Sequence, residues 1–170
     1  MARRISLREF QQDLVRRLHE AAASLEAPAA RLGVQVGGEL WLVRLEEAGE
    51  VIPVPSIAPV PLTRPWFRGV ANIRGNLYSV VDLAAFQGGE LTPQTPDARL
   101  LLVAERYNTG AALLVSRMLG LRNLHQFQSR PGNGGRAWES GHYVDREGQL
   151  WRELTMNELV YHNDFLQAGL

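Results

Sequence analysis

The stretch RGVANIRGNLYSVVDLAAF, from Arg68 to Phe86, places Asn72 and Arg74 inside an otherwise apolar run just before a turn. Val70 to Arg74 reads as one strand and Leu77 to Val81 as the next, with Gly75-Asn76 as a two-residue turn. That pairing sets Ile73 beside Tyr78 and Ala71 beside Val80 on an apolar, core-directed face. The other face carries Arg74 beside Leu77 and Asn72 beside Ser79. Asp82 is placed to cap a short helix through Phe86, which Gly88-Gly89 ends. The polar face has three readings: a solvated sheet face, a structural ion pair, or a docking surface. A rigidly held arginine suits directional recognition of a carboxylate.

Upstream, LGVQVGGELWLVRL (residues 32–45) is a hairpin about Gly37-Gly38. Pro53, Pro55, Pro59, Pro61 and Pro65 follow. They confine the next strand, Gly49 to Val54, to a sheet edge, and an ordered loop anchored by Trp66 and Phe67 comes after it. Downstream, ELTPQTPDA (residues 90–98) is a polar connector and the best internal boundary. Strands resume at Leu100–Ala104, Ala111–Val115 and Met118–Leu124. QSRPGNGGRA (residues 128–137) reads as a flexible loop, and HYVDREGQLWREL as a hairpin turning on Arg146-Glu147-Gly148.

A helix is expected at each end of the chain. Ser6 and Glu9 form a capping box, and Leu7, Phe10, Leu14, Leu18, Ala21 and Leu25 make one apolar stripe that stops near Ala27, before Pro28. This helix either packs on its own domain or is offered to a partner. Thr155 and Glu158 form a second capping box, leading a helix with Leu159, Val160, Phe165 and Leu166. Short strands in two clusters, with no βα repeat, argue for a mainly β fold of small barrels. The expected units are a helical extension over 1–31, then barrels over 32–89 and 98–168.

Composition narrows the function. The 170 residues, 45% of them hydrophobic, suit one domain or two small subdomains with a real core. No cysteine means no disulfide, thiolate metal site or cysteine nucleophile. All 18 basic residues are arginine, which excludes a P-loop lysine and a pyridoxal phosphate Schiff base, and no cofactor is expected. Zero net charge argues against a general nucleic-acid binder. The polar N-terminus has no apolar signal region, and no run approaches the ~18 apolar residues of a membrane span. A cytoplasmic protein without direct membrane insertion is therefore expected.

Catalytic patterns are missing. His19, His125, His142 and His162 show no ligand spacing, and no metal site is expected. No G-x-S-x-G occurs. On a strand, Glu46 and Glu47 face opposite sides, which is poor geometry for an acid and base pair. Trp41, Trp66, Trp138 and Trp151 sit in apolar contexts and read as core residues. An enzyme with a concealed carboxylate site and a small barrel that binds single-stranded nucleic acid are the other classes to test.

The motif RGVANIRGNLYSVVDL resembles the signature of CheW-like adaptor domains, roughly G-V-x-N-[LI]-R-G-x-[apolar]-x-P-V-V-D-L. The likeness extends over about residues 32–162. It takes in LEEAGEVIPVPSIAPVPLTRPWFRG before the motif, AALLVSRMLGLRNL after it and GHYVDREGQLWRELTMNELV at the end. Tyr78-Ser79 replaces an apolar residue and proline, and Ser116 stands where an acid is common. The resemblance implies two small five-stranded, SH3-like barrels, an N-terminal helical extension and a C-terminal helix. It implies a non-catalytic scaffold that couples the cytoplasmic tip of a chemoreceptor to the regulatory domain of a CheA-type histidine kinase in membrane-associated arrays. By position it implies that Arg74 pairs with Glu50, that Gly69 opens the motif beside Asn72, and that Met118 and Leu121 line a groove for a receptor helix. The long N-terminal extension and WFRGVANIRG resemble the form of the family that serves type IV pilus (twitching) systems; a flagellar-type pathway is the alternative.

Overall fold

The structure, a computed structural model, describes residues 12–18, 29–132 and 134–170. Residues 12–18 form a helix, α1, with Leu14 exposed. The Ser6 and Glu9 cap and the expected stop near Ala27 lie outside the described residues.

Among the described residues, eleven strands make two sheets. The six-stranded sheet has the order β8-β1-β2-β11-β10-β9, from β1 (Ala30–Val36), β2 (Glu39–Arg44), β8 (Arg117–Asn123), β9 (Gln128–Arg130), β10 (Glu139–Val144) and β11 (Leu150–Leu154). The five-stranded sheet has the order β3-β6-β7-β5-β4, from β3 (Ala48–Pro53), β4 (Phe67–Ile73), β5 (Asn76–Asp82), β6 (Arg99–Val103) and β7 (Ala111–Val115). Three short helices complete it: α2 (Leu83–Phe86), α3 (Met156–Val160) and α4 (Asn163–Leu166). The strand counts are six and five, not five and five, and neither sheet closes through hydrogen bonds between its outer strands.

The sheets are not divided by the 90–98 connector. β6 and β7, beyond it, pair into the sheet of β3, β4 and β5, and β2 pairs in parallel with β11. The connector is also pinned. Asp82, fully buried at the end of β5, accepts hydrogen bonds from Thr92 N at 2.7 Å and Thr92 Oγ1 at 2.8 Å. It also receives Arg68 Nη1 at 3.1 Å and, as the cap of α2, Ala85 N at 3.3 Å. One buried carboxylate with four donors thus joins β4, β5, α2 and the connector.

Leu32, Val34, Trp41 and Val43 of the six-stranded sheet meet Val81, Leu101, Leu113 and Val115 of the five-stranded sheet in one shared core. The runs LLLV (residues 100–103) and AALLV (residues 111–115) are continuously apolar because β6 and β7 are buried on both faces there. Leu101 and Leu113 point to the shared core. Leu100, Leu102, Ala112 and Leu114 point to a second core with Ala71, Ile73 and Val80. Trp66 supports the proline loop, packing edge-on to Phe86 at 5.0 Å and stacking on Phe165 at 6.5 Å.

Four local expectations are corrected. QSRPGNGGRA is not wholly loop: Gln128–Arg130 forms β9, paired antiparallel with β10. The C-terminal helix is two helices, because His162 is extended (φ −66°, ψ 136°) and restarts the chain as the cap of α4. Thr155 makes no side-chain cap; the first-turn N–H of Met156 instead donates to buried Glu47 at 3.4 Å. Glu46 and Glu47 lie in a 3-10 turn, Leu45–Glu47, and not on a strand.

Candidate docking site

The β4–β5 hairpin turns one residue earlier than expected. Ile73 pairs with Asn76 and Asn72 with Leu77, so the loop is Arg74-Gly75. Both loop residues have positive φ, 53° and 86°, the geometry of the tight turn that matches sheet twist. Asn72 Oδ1 accepts from Gly75 N at 2.9 Å and locks it. The shift moves every cross-strand pair by two residues, which preserves faces. Ile73, Ala71 and Val80 are buried on one side as expected, and Asn72 and Leu77 are exposed on the other. Arg74 is therefore carried on the hairpin tip, not along the strand.

Arg74 forms an ion pair with Glu50 of β3, its side chain staying 67% exposed. β3 and β4 are the two outer strands of their sheet. The sheet is thus curled until its edges meet through a side-chain pair, with the second core of Leu100, Leu114 and Ile73 inside the curl. This is how a barrel-like shape arises without hydrogen-bonded closure.

Gly69 is buried at φ 127°, and a Cβ there would stand 2.0 Å from Ala58 O. The proline loop crosses at that point, where Ala58 and Val70 exchange backbone hydrogen bonds of 2.8 and 2.9 Å. Gly69 and Asn72 thus shape the hairpin, while Glu50 and Arg74 present charge. Met118 and Leu121 lie apart, half-buried on β8 at the edge of the other sheet, opposite Val34 and Leu32. A cavity of about 400 Å³ between the sheets is lined by Val36, Ala84, Thr92, Ser116 and Arg136, and by none of the six expected residues.

The other side of the six-stranded sheet carries charges that sequence reading missed. Arg44, Arg31 and Arg122 stand abreast across β2, β1 and β8. Like charges so placed repel. Buried Glu153 answers two of them, at 3.3 Å from Arg31 Nη2 and 3.1 Å from Arg44 Nε. Arg122 lies over the Trp151 ring, 5.3 Å from its centroid. The hydrogen bond to Glu153 holds the Arg44 guanidinium above its ordinary value, outweighing its partial burial. Burial, and next the Glu153 carboxylate, push the Tyr143 phenol up. Alternation with core-facing Leu32 and Val34 puts Arg31 on the far face of β1, but gives no sign that this face is buried there. Nothing local pointed to Glu153, which lies over a hundred positions away.

Residues 31–164 match the family model of the CheW-like domain, and the chain belongs to that family of chemotaxis adaptors. It is similar to Protein PilI of Pseudomonas aeruginosa, with 29% identity over 167 residues and 93% of each chain covered. Chemotaxis protein CheW of Thermotoga maritima is 33% identical over 78 residues, 46% of this chain and 50% of that one. A bifunctional chorismate mutase/prephenate dehydratase of Enterobacter agglomerans is 31% identical over 144 residues, covering 82% of this chain but 31% of that protein. The crystal structure of scaffolding protein TtCheW from Thermoanaerobacter tengcongensis superposes with a TM-score of 0.67 at 19% identity, over 80% of this chain and 94% of that one, and shares the fold. Among the described residues no helix is long and apolar enough to cross a membrane.

Proposed function

We propose that this chain is the coupling adaptor of a type IV pilus chemosensory pathway. It joins the cytoplasmic tip of a chemoreceptor to the regulatory domain of a CheA-type histidine kinase and catalyses no reaction itself. The observation that carries this reading is the similarity to PilI along 93% of both chains. Arg74, exposed on a locked hairpin, and Glu50, half-buried on an edge strand, supply orientation; Met118 and Leu121, half-buried on the open edge of β8, supply apolar contact. Gly69 and Asn72 hold the hairpin in shape. The protein works in the cytoplasm, recruited to receptor arrays at the membrane.

The test is a calorimetric titration with the regulatory domain of the CheA-type kinase from the same organism's pilus system. Saturable one-to-one binding is expected. Folded protein that gives no heat with this domain, yet binds the kinase domain of a flagellar pathway, would move the assignment to that pathway. No binding to either would overturn the adaptor reading for these partners.

A further inference from the structure

The cavity between the sheets is built by segments that the fold holds in place. The β1–β2 turn, Gly37-Gly38, forms one wall, and Ser116, between β7 and β8, accepts from Gly37 N at 3.1 Å and fixes it. The end of α2 and the connector form another wall. Thr92, bonded twice to Asp82, pins that connector. Arg136 grips Glu39 through both terminal nitrogens, at 2.9 and 3.3 Å, so this pair brings no net charge to the lining. The space of about 400 Å³ is therefore preformed and large enough for a small molecule. It lies at a junction of two packed units, where such sites concentrate.

What the lining leaves unanswered defines the occupant. Two of its donors have no acceptor among the described residues: the Ser116 hydroxyl hydrogen, since that oxygen only accepts, and Gln87 Nε2, which is buried. One of its carboxylates, Glu90, is exposed and has no ion pair among the described residues. Val36, Ala84, Leu91 and Pro93 add apolar surface, with Leu91 49% exposed. An occupant that answers all of these brings an acceptor, a cation and a short apolar body. We infer that the cavity binds a free amino acid with an aliphatic side chain. Its carboxylate meets Ser116 Oγ and Gln87 Nε2, its ammonium meets Glu90, and its side chain lies against Val36 and Leu91. A simple acid leaves Glu90 unanswered, and a simple amine leaves both donors so. The bound zwitterion joins the β1–β2 turn to the connector, one sheet to the other, and makes the stability of the chain depend on amino-acid concentration. The site is separate from the six expected docking residues, none of which lines it.

The test is a titration of the full chain, followed through its amide NMR signals, with three matched compounds. L-Leucine carries both charged groups, isoamylamine lacks the carboxylate and isocaproate lacks the ammonium. Leucine should shift the Gly37, Gly38 and Gly89 signals saturably, and each of the other two should bind at least about tenfold more weakly. Glu90→Gln should weaken leucine binding about two- to fivefold, and less at high salt, because Glu90 is exposed. Gln87→Met should weaken it about tenfold while melting at or above the wild-type temperature, since it removes a buried donor that has no acceptor. If Gln87→Met melts lower, Glu90→Gln decides, because its exposed side chain leaves the fold alone. No saturable shift with leucine overturns the inference. So does binding of the amine or the acid as tight as that of leucine, or wild-type leucine affinity in Glu90→Gln.

Discussion

The two sheets share one core, but their far sides differ in kind. The five-stranded sheet curls around Ala71, Ile73, Val80, Leu100, Leu102, Ala112 and Leu114, a dry interior. The six-stranded sheet carries Arg31, Glu153, Tyr143 and Trp151 on its far side, with the first two almost fully buried. A dry interior needs only apolar volume, so many sequences satisfy it. An ionic one needs each charge answered by a partner at the right register, because an unanswered buried charge costs several kcal/mol. The first kind tolerates apolar exchange and rejects charge; the second tolerates loss of the whole network better than loss of one member.

The largest expected effect is a charge placed in the dry interior. Ile73→Asp has no cation within its core to answer it, and should cost at least about 4 kcal/mol, enough to unfold the five-stranded sheet. Denaturant unfolding measures this; an unchanged midpoint would show that Ile73 does not face the core. Next is Glu153→Ala, which takes away the carboxylate that both Arg31 and Arg44 face. A loss of about 3–5 kcal/mol is expected. The paired change Arg31→Met with Glu153→Leu should recover most of it, because the charges leave together. If the pair is as unstable as the single variant, the ionic side matters for its shape and not for its charge balance.

The contrast also marks what could be read beforehand. The dry side was legible because its information is local: the apolar runs Leu100–Ala104 and Ala111–Val115 read as strands, and Ile73 and Ala71 alternate with Asn72. The β4–β5 faces came out right although the turn was misplaced, because a two-residue change in pairing preserves sidedness. The misplacement arose at Arg74, a residue type that resists positive φ and is held there by the Asn72 side chain. The ionic side was illegible because Arg31 and Glu153 meet only through the parallel pairing of β2 and β11. Sheet membership was hidden for the same reason, since a polar connector looks like a boundary until Asp82 is seen to bury its Thr92. Of the candidate site, the resemblance supplied the Glu50–Arg74 pair. Residue pattern alone left Arg74 with three readings.

The smallest expected effect concerns the pair that joins the edges of the dry sheet. Glu50 and Arg74 meet across the open side of the curl, but Arg74 is mostly in water, and such exposed pairs contribute about 0.2–1 kcal/mol. Arg74→Ala also replaces one positive-φ residue by another, so the strain at the turn stays and the Asn72 lock is untouched. Stability should therefore fall by less than about 1 kcal/mol, and less still at high salt, where exposed charges are screened. If the second core keeps the sheet curled by itself, Arg74 is free to serve partners, and Arg74→Ala should lose incorporation into receptor arrays while melting almost as wild type does. A loss of several kcal/mol would mean instead that the ion pair is the closure of the sheet. Any array defect would then follow from an opened curl and not from a missing contact.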